Sequence, residues 1–131
     1  MSSSRTVLII EDSKTQADQV AYHLSKHDID VIIAADGLQG LRLVNAYQPD
    51  LIVLDVNMPK LNGYQVCRRL KRDPETAGIP IIMLTSATNS TEVQSGYEAG
   101  ADEYIAKDMF AIEHLMTTMA GMGLFQAELS F

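Results

Sequence analysis

Leu51-Ile52-Val53-Leu54-Asp55 is a run of four apolar residues that ends in a carboxylate. The pattern recurs along the chain. Val7-Leu8-Ile9-Ile10 leads into Glu11-Asp12, Ile81-Ile82-Met83-Leu84 into Thr85, and Tyr104-Ile105-Ala106 into Lys107. Runs that are apolar at nearly every position read as strands covered on both faces. If they are neighbouring parallel strands, their carboxyl ends share one edge. Three acids, a hydroxyl and an ammonium then meet in one crevice, a set suited to a divalent metal and a phosphoryl group.

The stretches between the runs have helical spacing. Ala17, Val20, Ala21 and Leu24 recur at i, i+3, i+4, i+7, the stripe of an amphipathic helix. Leu38, Leu41 and Val44 mark a second helix that ends before Pro49, and Gly63, Val66, Cys67 and Leu70 a third. A shorter helix is predicted over about Thr91 to Ala99, and a last one on Ile112, Leu115, Met116 and Met119. Val31-Ile32-Ile33 supplies the remaining strand, rich in β-branched residues. Ser13 with Gln16, Asp36 with Gln39, Asn62 with Gln65 and Asn89 with Glu92 each place an acceptor before a helix and a Glu or Gln three residues on, as a capping box requires. Five βα units in succession predict an α/β fold with a five-stranded parallel sheet and helices on both faces. Right-handed crossovers favour the doubly wound order 2-1-3-4-5, in which ligands bind beyond the strand ends at the point where the order reverses. Glu11, Asp12 and Asp55 fall there.

The 131 residues fit one domain, 1–131, with a core of about 5–121 and a short apolar tail, Leu124 to Phe131. No apolar run is long enough to cross a bilayer, and Met1-Ser2-Ser3-Ser4-Arg5 lacks the apolar stretch of a secretion signal. The expectation is a cytoplasmic protein with no membrane contact. A formal net charge of -7 opposes direct binding to the phosphates of nucleic acid. One cysteine, Cys67, excludes an internal disulfide and a Cys-based zinc cluster. His23 and His27, spaced i, i+4, read as a solvated face of the first helix.

Three clustered carboxylates repel one another and stay ionised at low cost only beside a cation. Mg2+ takes one or two carboxylates, waters and a substrate phosphate. Asp12 and Asp55 are candidate direct ligands, Glu11 one acting through water, and the backbone carbonyl of Asn57 a further one. A carboxylate beside such an ion can attack phosphorus and give an aspartyl phosphate, so Asp55 is the candidate phosphoacceptor. Lys107 would set a positive charge against the phosphoryl oxygens, and the Thr85 hydroxyl would donate to one of them. Taken singly, each residue has an ordinary explanation as a loop cap, a turn residue or a surface lysine. The signal is the joint pattern.

These residues resemble the receiver domain of bacterial two-component response regulators, of the stand-alone, single-domain type. Glu11-Asp12 is similar to that family's acidic pair, and Asp55-Val56-Asn57-Met58-Pro59 with Asn62-Gly63 to the segment around its phosphoacceptor. Leu84-Thr85-Ser86-Ala87 resembles its switch-threonine segment, and Gly100-Ala101-Asp102-Glu103-Tyr104-Ile105-Ala106-Lys107 the segment ending in its phosphate-binding lysine. The resemblance covers about Arg5 to Gly121 and implies the flavodoxin-like (βα)5 fold. It implies that a histidine kinase or phosphotransfer protein phosphorylates Asp55 with Mg2+, and that the receiver itself promotes this transfer and the later hydrolysis. Such a protein is a regulatory phosphoacceptor rather than an enzyme. Thr85 and Tyr104 would be the switch residues. The face of the fourth helix, fifth strand and fifth helix would bind a downstream protein, as a monomer or a phosphorylation-dependent dimer. One departure stands out: the family usually has proline after this lysine, often in a cis peptide, and here Asp108 follows. A trans bond is then the expectation, with Asp108 as a candidate cap for the last helix. Asn57 and Ser86 occupy positions that would tune the lifetime of the phosphoryl group. Met109, Met116, Met119 and Met122 divide between core and docking surface.

Two other functions fit less of the sequence. A pseudo-receiver that binds partners without phosphorylation is favoured only by the missing proline. A phosphohydrolase with an aspartyl-phosphate intermediate commonly needs a second carboxylate two residues past the nucleophile, where Asn57 stands.

Overall fold

The computed structural model describes residues 5–86 and 90–125. Among them, strands β1 (Arg5–Ile10), β2 (Ile29–Ala34), β3 (Leu51–Asp55), β4 (Ile81–Thr85) and β5 (Glu103–Ala106) alternate with helices α1 (Lys14–Leu24), α2 (Gly37–Tyr47), α3 (Gly63–Arg72), α4 (Ser90–Glu98) and α5 (Ala111–Gly121). The strands form one parallel sheet in the order β2-β1-β3-β4-β5. This is the flavodoxin-like (βα)5 arrangement that the alternation predicts. No helix of the described residues is long and apolar enough to cross a membrane.

Side chains alternate across a strand, and the apolar runs therefore feed two cores. Leu8, Ile10, Ile52, Leu54, Ile81 and Met83 pack with Val44, Val66, Cys67 and Leu70 from α2 and α3. Val7, Ile9, Leu51, Val53, Ile82 and Leu84 pack with Ala17, Val20 and Leu24 of α1 and Leu115 and Met119 of α5. β3 and β4 are buried at all five positions each, which is why they carry no polar residue before their last one.

The α2 stripe is rotated from the one expected. Its buried residues are Gly37, Gly40 and Val44, while Leu38 is half exposed. The cause is close approach to the sheet: a Cβ on Gly40 would lie 2.5 Å from Ile10 Cδ1. The helix therefore turns its glycine face inward and Leu38 outward. The histidine expectation also changes. α1 ends at Leu24, so His27 lies beyond it and stacks on Phe125, with ring centroids 4.0 Å apart. The start of the apolar tail thus packs back on the domain, with Leu124 buried; its remainder lies outside the described residues.

The capping pairs divide by what their second member does. Ser13, Asp36 and Asn62 each accept from the backbone N–H three residues on. Only Gln65 completes the box by accepting from the N–H of Asn62. Gln39 accepts instead from the Ala35 N–H, and Gln16 turns to Lys107. Asn89 lies outside the described residues. Asp108 accepts from the Phe110 N–H at 2.8 Å in the turn before α5, rather than capping the helix itself, whose N-cap position is Phe110 without a side-chain bond.

Candidate functional site

Strand register brings the polar strand ends together. Ile10 pairs with Leu54, which sets Glu11 level with Asp55. Asp55 pairs with Leu84, and Thr85 with Ala106, so Thr85 and Lys107 each follow one step further across the sheet. The crevice opens at the carboxyl edge, where the strand order reverses between β1 and β3.

Carboxylate oxygens of Glu11, Asp12 and Asp55 lie within 4.8 Å of one another. Asp55 and Glu11 are buried and Asp12 is exposed. Burial pushes the Glu11 carboxyl up to about 7; the Asp55 charge adds to this, and the hydrogen bond from Lys107 opposes it. The Lys107 ammonium lies 2.9 Å from Glu11 Oε2, 3.0 Å from Asp55 Oδ1 and 2.6 Å from Gln16 Oε1. Burial works against its charge, but the hydrogen bonds and charges of Glu11 and Asp55 outweigh that and hold its pKa above the ordinary lysine value. The described residues contain no cis peptide, so the Lys107–Asp108 bond is trans and Lys107 still reaches Asp55.

The loop after β3 is fixed by its own polar groups. The Asn57 N–H donates to Asp55 Oδ1 at 3.2 Å. The Asn57 amide donates to Thr85 Oγ1 at 3.4 Å and to Ser86 Oγ at 3.1 Å. It therefore ties the loops after β3 and β4 across the crevice, and Thr85 is fully buried beneath it. α3 begins hard against this loop: a Cβ on Gly63 would lie 2.6 Å from the Asp55 carbonyl oxygen and 2.8 Å from Val56 Cα. A cavity of about 280 Å³ opens beside Lys107, lined in part by Gln16, Val20, Asp108 and Met109. Met109 is strongly exposed at its rim, Met119 is core, and Met116 and Met122 are partly buried against the α1–α5 side.

Two residues of this arrangement escape a reading of the sequence. Gln16 has the spacing of a cap partner, and nothing local signals its turn toward a lysine 91 positions away. Tyr64 lies beside the apolar stripe of α3 rather than in it, and nothing local signals that its hydroxyl meets that of Tyr104 at 3.3 Å.

The donor set fits a hard divalent cation. The oxygens are carboxylates, they converge, and Glu11, one of the two buried members, is pushed toward its protonated form by burial and by the Asp55 charge, a cost that a cation would relieve. The sequence model of the Response regulator receiver domain matches residues 7–120. The chain belongs to this family. It is a family of regulatory phosphoacceptors rather than enzymes in the ordinary sense, and it acts in two-component signalling. Among curated relatives, the DNA-binding dual master transcriptional regulator RpaA of Synechocystis is 39% identical over 116 residues, covering 88% of this chain and 48% of its own. The chain spans about half the length of the curated relatives it matches. Among solved structures, a response regulator of Chloroflexus aurantiacus superposes with a TM-score of 0.85 at 32% identity, covering 92% of this chain and 98% of that one. The Mn2+-bound form of response regulator Rcp1 superposes at 0.77 with 26% identity, covering 97% and 99%. A receiver similar to this one thus holds a divalent cation.

Proposed function

We propose that this receiver is a phosphorylation-controlled signalling switch whose phosphoacceptor is Asp55. The observation that carries the reading is the Asp55 carboxylate itself: at the crevice, 3.0 Å from the Lys107 ammonium and within 4.8 Å of two further carboxylates. A histidine kinase or a phosphotransfer protein is the donor. An Asp55 carboxylate oxygen attacks the phosphorus, the donor's P–N bond breaks, and the new P–O bond makes an acyl phosphate. Asp12, Asp55 and the Asn57 carbonyl, with Glu11 through water, would hold Mg2+, which would supply charge neutralisation for the transferring group. Lys107 holds a fixed positive charge where the phosphoryl oxygens arrive, and charge placed in advance is what such a transfer needs. Thr85 brings a hydroxyl from the neighbouring strand end, held in line by the Asn57 amide.

In this reading residues 5–121 act as one receiver unit. Phosphorylation biases a two-state element, with Thr85 and Tyr104 as its moving parts and the α4–β5–α5 face as the surface a downstream protein reads. A cytoplasmic setting accords with this chemistry.

Incubation with Mg2+ and radiolabelled acetyl phosphate tests the proposal. Wild type should take up label only with the cation, and Asp55→Asn should take up none. Label retained by Asp55→Asn, or wild type that stays unlabelled with excess donor, would overturn it.

A further inference from the structure

The Tyr64 hydroxyl is 3.0 Å from the backbone carbonyl of Glu92 on α4 and 3.3 Å from the Tyr104 hydroxyl on β5. A phenol has one proton to give. The carbonyl can only accept, so Tyr64 donates to Glu92 and receives from Tyr104. One hydroxyl on α3 thereby joins α4 to the end of the edge strand. The Tyr104 ring also packs closely against α4 at Gly96, where a Cβ would meet its ring carbons at 2.6 and 2.8 Å. Burial, assisted by the bond to Tyr104, pushes the Tyr64 phenol above its ordinary range, so it remains a donor at any physiological pH. At the other side, Tyr64 follows Gly63, whose Cα abuts the Asp55 carbonyl. The same turn of α3 therefore touches the phosphoacceptor backbone and the Tyr104 hydroxyl.

We propose that Tyr64 is a positioning residue for the switch: its hydroxyl clamps Tyr104 and α4 in the arrangement seen here, and phosphorylation must break that clamp. The inference rests on Tyr104 moving with the state of Asp55, as the proposed function has it. At 3.3 Å the link between the phenols is the longer of the two, and it is the one expected to part first. A hydrogen bond of ordinary strength that stabilises only one of two states shifts their ratio by about 3- to 10-fold. By linkage, removing it should tighten binding of anything that prefers the other state by the same factor.

The test uses full-length protein carrying 3-fluorotyrosine, with the Tyr104 fluorine signal assigned by Tyr104→Phe, and beryllofluoride plus Mg2+ as a mimic of the phosphoryl group. In wild type the Tyr104 signal should move when the mimic is added. In Tyr64→Phe it should start part of the way toward that position, and the mimic should bind about 3- to 10-fold more tightly. Tyr64→Phe should gain less in the Tyr104→Phe background than it gains in wild type, because only the bond to the Glu92 carbonyl is then left to remove. A Tyr104 signal in wild type that ignores the bound mimic overturns the switch role given to Tyr104. A signal that responds to the mimic, but with the same starting position and affinity in Tyr64→Phe, overturns the clamp and leaves that role standing.

Discussion

The Lys107 ammonium lies 3.0 Å from Asp55 Oδ1, although the residue that follows it is Asp108 and the bond between them is trans. The lysine is held from the other side by Glu11 and Gln16, so its position does not depend on a proline. Replacing it leaves two buried carboxylates facing each other with no cation between them. Lys107→Met should therefore lower stability, and Mg2+ should restore more stability to the variant than it adds to wild type. Labelling of Asp55 by acetyl phosphate should slow by about 10²-fold or more. Thermal melts with and without Mg2+, together with initial labelling rates, check both outcomes.

Asp12 separates cation binding from folding, because it is the exposed member of the acidic cluster. In wild type, saturating Mg2+ should raise the melting temperature by binding only the folded state. Asp12→Asn removes one negative charge from a self-repelling set. Without Mg2+ its stability should match wild type within about 0.5 kcal/mol or exceed it, while the Mg2+-dependent gain should largely disappear. A variant that melts lower than wild type in a chelator, yet gains equally from Mg2+, would contradict the assignment of Asp12 as a ligand.

The sheet and its order are legible in the sequence because β3 and β4 are buried on both faces and so contain nothing but apolar residues before their last one. The crevice is legible for a related reason. A chemically active residue at the end of a buried strand interrupts a strong pattern, and Glu11, Asp55 and Thr85 do so, while Lys107 follows the half-buried edge strand and is read by its place in the same series. Helix faces are harder where glycines do the packing. Gly37 and Gly40 carry no hydrophobic signal, so Leu38 stands out in the sequence although the helix turns it to solvent. Contacts between long polar side chains leave no local trace at all. Gln16 on Lys107 and Tyr64 on Tyr104 join residues 91 and 40 positions apart, and composition and spacing would be the same without them.

Gly63 has a steric role that can be measured apart from its helix position. A Cβ there would lie 2.6 Å from the Asp55 carbonyl oxygen and 2.8 Å from Val56 Cα. Both are backbone atoms that no side-chain rotation can move. Gly63→Ala should therefore destabilise by about 1–3 kcal/mol through overpacking, although alanine favours a helix over glycine. Because the strain falls on the backbone of Asp55, labelling by acetyl phosphate should slow as well. Gly121→Ala is the control: it lies in α5 with nothing within 4 Å of the added carbon, and it should leave both properties unchanged or raise stability slightly.

Cys67 gives the molecule a measurable alkaline limb. Its thiol is fully buried and donates to the Ala99 carbonyl at 3.4 Å. Burial pushes its pKa up to about 11, from an ordinary value of 9.0. The folded state thus holds the proton more tightly than the unfolded chain. The resulting stability is fully present below pH 9 and is lost as pH rises through about 11. Cys67→Ala removes this term while adding a small cavity cost that does not depend on pH. The stability difference between wild type and Cys67→Ala, measured by urea unfolding, should therefore be constant from pH 7 to 8.5 and shrink by about 1–3 kcal/mol toward pH 11. Below pH 8.5 the native thiol should also react with a bulky disulfide reagent only at the rate at which the α3 side of the core opens. A difference that stays flat across the whole range, or rapid labelling of the native protein at pH 8, would show that the thiol is not buried as α3 places it.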